Sequence, residues 1–147
     1  MPKISALPPD ASPTTDDYIV VLDMGSNTDK KVLLSSLVPL MTAKRTTSVT
    51  SSATLTPNVD TTDIFCCTAL AVGTTLATPA GTPINGQGLV VRIKDNGGGQ
   101  SIAYNAIYRA IGVTLPTTTT GGKVIYLGMI YNSQDANWDV LAVGRQG

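Results

Sequence analysis

The chain has 147 residues, 42% of them hydrophobic and only 14% charged, and its ten basic and ten acidic side chains cancel to a formal net charge of zero. That length suits one core with an accessory segment rather than two full domains, and the charge balance argues against a broad field drawing the protein to nucleic acid or anionic lipid. With no histidine, a Ser-His-Asp triad, a Cys-His pair and imidazole metal ligation are excluded within these residues.

No stretch reaches the roughly 20 apolar residues of a membrane-spanning helix. Met1-Pro2-Lys3 leads to Pro8, Pro9 and Asp10 rather than to an apolar signal core, so a soluble protein without membrane insertion is expected. Ile4, Leu7, Pro8 and Pro9 should be extended, because proline fixes its own φ and steers the preceding residue away from helix. Tyr18-Ile19-Val20-Val21-Leu22 predicts a strand, closed by a polar turn over residues 23–29. Residues 30–38 predict a short helix with Val32, Leu33 and Leu37 on one side, Leu34 beside them, Thr28 or Asp29 as cap and Pro39 at the end. One strand and one helix cannot offset the entropy of ordering them, so this arm, residues 1–45, must dock onto something larger. Ile4, Leu7, Pro8, Tyr18, Val20, Leu33 and Leu37 are its candidate docking side chains.

Residues 46–60 are rich in Thr and Ser and read as a linker or an extended connecting strand. Residues 64–70, 74–78, 88–94, 101–105, 108–111, 123–131 and 138–143 then read as short strands between Gly, Pro, Asn and Thr turns. The expected fold class is mainly β: an antiparallel β-sandwich or jelly-roll-like barrel over residues 61–147. Residues 132–137 form a polar hairpin turn before Trp138. In the strand preceding it, Val124, Tyr126 and Ile130 face one way and Ile125, Leu127, Met129 and Tyr131 the other, so neither face is plainly wet and one is available to another subunit. Adjacent Cys66 and Cys67 point to opposite faces and cannot pair without strain, which leaves two structural thiols of a reducing compartment.

Residues 95–99, Asp-Asn-Gly-Gly-Gly, lie between strands and lack both the Lys-Ser/Thr ending of a phosphate-binding loop and the acidic spacing of a calcium loop, so a flexible turn is expected. Asn85-Gly86 is another turn. Arg92, Lys94 and Arg109 suggest a basic groove, and Tyr104, Tyr108 and Tyr131 a stacking surface; a solvated strand face and core-closing tyrosines explain the same residues. No carboxylate pair sits in an aromatic sugar-binding frame. No catalytic residue, metal site or cofactor is assigned, and the exposed-loop candidates are Asn96, Gly97, Gly98, Thr118 and Thr119.

Residues 4–8 (Ile-Ser-Ala-Leu-Pro), 16–21 (Asp-Asp-Tyr-Ile-Val-Val) and 30–32 (Lys-Lys-Val) resemble an N-terminal attachment module of tailed-bacteriophage fibre and structural proteins. Residues 61–65, 81–87, 92–97, 108–112 and 138–143 are similar to a β module of phage fibre-like and head-associated proteins. The resemblance implies a noncatalytic, homotrimeric virion component assembled in the host cytoplasm. Its N-terminal module would dock to the major capsid protein or another virion protein, its β module would project outward, and no nucleic acid would be bound. The chain lacks the long shaft of reaching fibres, which favours a capsid decoration, cement or short head-fibre protein over the alternative of a tail fibre or adaptor binding a host receptor or glycan.

Overall fold

The computed structural model describes residue 14, residues 16–23, residue 25 and residues 28–147. The chain divides into two compact units, Met1–Ala43 and Lys44–Gly147.

In the first unit, β1 (Tyr18–Asp23) pairs antiparallel with β2 (Thr28–Leu33), and α1 (Leu34–Thr42) follows without a break. The helix thus begins four residues later than expected, and residues 30–33 are strand. Val32 lies opposite Ile19 and Leu33 opposite Tyr18, so cross-strand pairing gives these side chains partners that a lone helical turn would not. The Lys31 ammonium sits 4.7 Å above the Tyr18 ring. Asp17 accepts the Leu34 N–H at 2.8 Å, fixing where strand becomes helix. Pro39 lies inside α1 rather than ending it; its fixed φ is compatible with a helix, although it has no N–H to donate to the preceding turn. The Thr42 hydroxyl donates to the Val38 carbonyl at 2.8 Å.

The second unit is mainly β. Its strands are β3 (Thr46–Val49), β4 (Thr54–Leu55), β5 (Ile64–Leu70), β6 (Thr74–Leu76), β7 (Gly88–Asp95), β8 (Ile102–Tyr104), β9 (Tyr108–Ala110), β10 (Val124–Asn132) and β11 (Asn137–Arg145). They form a six-stranded sheet, β3-β5-β7-β10-β11-β9, and a three-stranded sheet, β4-β6-β8. From β3 to β8 the chain alternates between the sheets at every step. Each strand therefore returns beside its predecessor in the same direction, and β3-β5-β7 and β4-β6-β8 are parallel. Only β7-β10-β11 pair antiparallel. This winding departs from the all-antiparallel expectation for a physical reason: inside–outside alternation along a strand is the same for either neighbour direction.

Residues 46–60 are not a tether. They supply β3 and β4, and Leu55 and Val59 are each only 1% exposed. Leu55, Leu76 and Ile102 of the small sheet meet Phe65, Val91, Ile93, Leu127 and Trp138 of the large one in a single core. Fully burying each such side chain stabilises by about 1.5–3 kcal/mol. Along β7, Leu89, Val91 and Ile93 point inward while Val90, Arg92 and Lys94 alternate outward. Asp95 continues the inward phase and is buried, which demands that its charge be compensated.

Candidate interaction surfaces

On the hairpin of the first unit, Tyr18 and Val20 share one face with Leu33, and the two β1 side chains are each 56% exposed. Leu33 and Leu37 are half-buried. Sequence reasoning missed Ile19 and Val21 on the opposite face and Val38 on α1, all exposed. Both faces of a two-stranded ribbon therefore present apolar surface, a signal already contained in the unbroken apolar run of residues 18–22. Ile4, Leu7 and Pro8 lie outside the described residues.

In the β domain, Asp95 unites the two candidate loops. Its carboxylate, on a residue 1% exposed, accepts N–H bonds from Gly97 at 2.6 Å, Gly99 at 3.3 Å and Gly122 at 3.1 Å, and an O–H bond from Thr119 at 2.5 Å. Burial alone would raise the Asp95 pKa; the Thr119 hydroxyl and the Gly97, Gly122 and Gly99 donors outweigh it and hold the carboxyl at about 2. Thr119 is therefore not an exposed recognition residue: it is 7% exposed and its hydroxyl points at Asp95. Asn96, Gly97, Gly98 and Thr118 are exposed, on two loops that four hydrogen bonds to Asp95 tether. An aspartate two residues before a glycine is the sequence cue for such an Asx-type tether.

The basic candidates separate. Arg92 and Lys94 lie on one outer face of β7, opposite Tyr126 and Val124 of β10. Arg109 sits at the far end of the sheet, where it binds Asp139 through Nε at 2.7 Å and Asp135 through Nη1 at 2.8 Å. Hydrogen bonds to Asp139 and then Asp135 raise the Arg109 pKa, and the Arg109 hydrogen bond lowers that of Asp139. At that same end Arg45 grips Asp63 at 2.7 Å and also donates to the Asp60 carbonyl, and the Arg45 hydrogen bond lowers the Asp63 pKa to about 2. Tyr104 and Tyr108 are core-facing; burial raises both pKa values, and their hydroxyls donate to the carbonyls of Pro116 and Ala77 at 2.8 Å. Tyr131 packs on Trp138 at 5.3 Å between ring centroids.

Zero net charge thus conceals a segregated distribution in the β domain. Asp60, Asp63, Asp135 and Asp139 all lie at the end where β5 and β7 begin and β10 turns into β11. The opposite end carries Arg92, Lys94, Lys123 and Arg145, with the buried Asp95 as its carboxylate. An apolar trough of about 240 Å³ runs over Ile64, Val90, Gly88 and Gly128 and is rimmed by Lys44 and Asp63. No group of three or more His, Cys, Asp or Glu side chains with metal-binding geometry occurs among the described residues. Comparison with protein-family models, curated proteins and solved structures finds no match for this chain.

Proposed function

We propose that this chain is a noncatalytic structural component of a tailed-phage virion, a capsid decoration or short head-fibre protein that docks through its N-terminal unit and displays its β domain. One contrast carries the reading. The β domain encloses a complete core of its own, whereas the hairpin of the first unit leaves Tyr18, Ile19, Val20 and Val21 exposed on both faces. A two-stranded ribbon is at best marginally stable in water and gains its missing burial on a partner. The resemblance of residues 16–21 and 30–32 to a phage attachment module supplies the partner class. Repeated on a symmetric shell, many modest contacts raise one another's effective concentration.

The test compares the full chain with residues 44–147 on particles assembled without the protein, by co-sedimentation and copy counting. The full chain should bind in numbers following the shell lattice, and residues 44–147 should fold yet stay in the supernatant. Equal binding of both forms, or no binding of the full chain, would refute the reading.

A further inference from the structure

We infer that the cationic end of the β domain is a binding surface for an acidic polysaccharide, one whose sugars carry carboxylate, sulfate or phosphate groups. Lys94 lies opposite Val124 and Arg92 opposite Tyr126, side by side on the outer face of β7 and β10. Lys123, which accepts the Asp95 N–H through its carbonyl at 3.0 Å, and Arg145, opposite the inward-facing Ile125 and so on the other face of the sheet, add positive charge at the same end. Adjacent strands lie about 4.8 Å apart and alternate residues of a strand about 6.6 Å apart, spacings comparable to the length of a hexose. Arg92, Lys94 and Arg145 form no ion pair with an Asp or Glu side chain among the described residues, whereas Arg45 and Arg109 at the other end are both paired. The Lys94 ammonium donates to the Gly122 carbonyl at 2.5 Å, a contact that holds it in place without neutralising it, and the Lys123 ammonium is held by the Gly147 main-chain oxygen at 3.0 Å.

The surroundings select a sugar polymer over other anions. Tyr126 is 46% exposed beside Arg92 and offers an aromatic face to a pyranose ring. The loops at this end present the Asn96 amide and the hydroxyls of Thr117, Thr118 and Thr120, all exposed, for hydrogen bonding. Because Asp95 already tethers both loops, binding there forfeits little conformational entropy. A peptide would need a free strand edge or an apolar pocket beside Arg92 and Lys94, yet β7 and β10, which carry this face, are interior strands of the sheet. Duplex DNA would need a helix or two-stranded ribbon entering its groove, and the second unit has no helix. The inference stands apart from the docking role of the first unit, so loss of particle attachment would leave it untouched.

The experiment measures binding of the full chain to dextran sulfate, polygalacturonate, uncharged dextran, duplex DNA and polyglutamate, at salt on the order of 50 and 200 mM. Binding to one or both acidic polysaccharides, weaker at the higher salt and absent for dextran, is expected. The variant Arg92→Gln/Lys94→Gln/Arg145→Gln should lose about ten-fold or more in affinity, while Lys44→Gln at the opposite end should bind as the parent does. Thr118→Glu, which adds a like charge to the ligand on an exposed loop position, decides the matter should the triple variant fail to fold. Equal binding to dextran, no binding to either acidic polysaccharide, tighter binding to DNA or polyglutamate, or undiminished binding by a folded triple variant and by Thr118→Glu would overturn the inference.

Discussion

Replacing Asp95 by Asn isolates the energetics of the loop tether, because the amide resembles the protonated acid in shape and hydrogen-bonding capacity. The Asp95 pKa is lowered from 3.8 to about 2, and that interval corresponds to about 2.5 kcal/mol of native-state stabilisation at about 1.4 kcal/mol per pH unit. Asn keeps one acceptor for the Gly97, Gly99 and Gly122 N–H groups, and the Thr119 hydroxyl can reorient, so Asp95→Asn should cost about that amount at neutral pH. Asp95→Ala strands every donor and should cost about 3–5 kcal/mol. For a domain of about 100 residues, 2.5 kcal/mol lowers Tm by about 10–20 °C. Trp138, the single tryptophan, is fully buried and its fluorescence reports unfolding in urea. Since the folded pKa is depressed, the stabilisation is complete above 3.8 and is lost as pH falls through about 2. The stability difference between parent and Asp95→Asn should therefore shrink steadily below about pH 4. A difference under about 0.5 kcal/mol at pH 7, or one that stays constant as the pH falls toward 2, would refute the account.

Two further outcomes test the packing. A Cβ on Gly121 would come within 2.6 Å of the Gly97 carbonyl oxygen, so Gly121→Ala should destabilise the domain by about 1–3 kcal/mol in urea titrations; an unchanged midpoint would show that the loops part freely. Cys66 and Cys67 are free and buried, and burial raises the Cys67 pKa. Neither should react with an aromatic disulfide at neutral pH until denaturant is added, and rapid labelling of the native chain would contradict this core.

The sequence by itself determined the β class and most strand positions of the second unit, because period-two alternation of apolar side chains is a local property. Leu89, Val91 and Ile93 of β7 and Ile125, Leu127 and Met129 of β10 all bury as that alternation requires. It also carried the apolar run of residues 18–21, which the structure leaves exposed. Residues 30–33 misled it, since a stretch so short fits helix or strand equally well and only pairing with β1 selects the strand. For residues 46–60 the sequence left linker and extended strand both open, because a Thr- and Ser-rich composition hides that Leu55 and Val59 have a core to enter. The winding of the chain between two sheets, the meeting of Asp95 with Gly97, Thr119 and Gly122, and the gathering of Arg92, Lys94, Lys123 and Arg145 at one end were decided by tertiary structure alone. Net charge and local pattern are sums over the chain or over a few neighbours, whereas strand direction, loop tethers and charge segregation depend on which distant residues the fold makes adjacent.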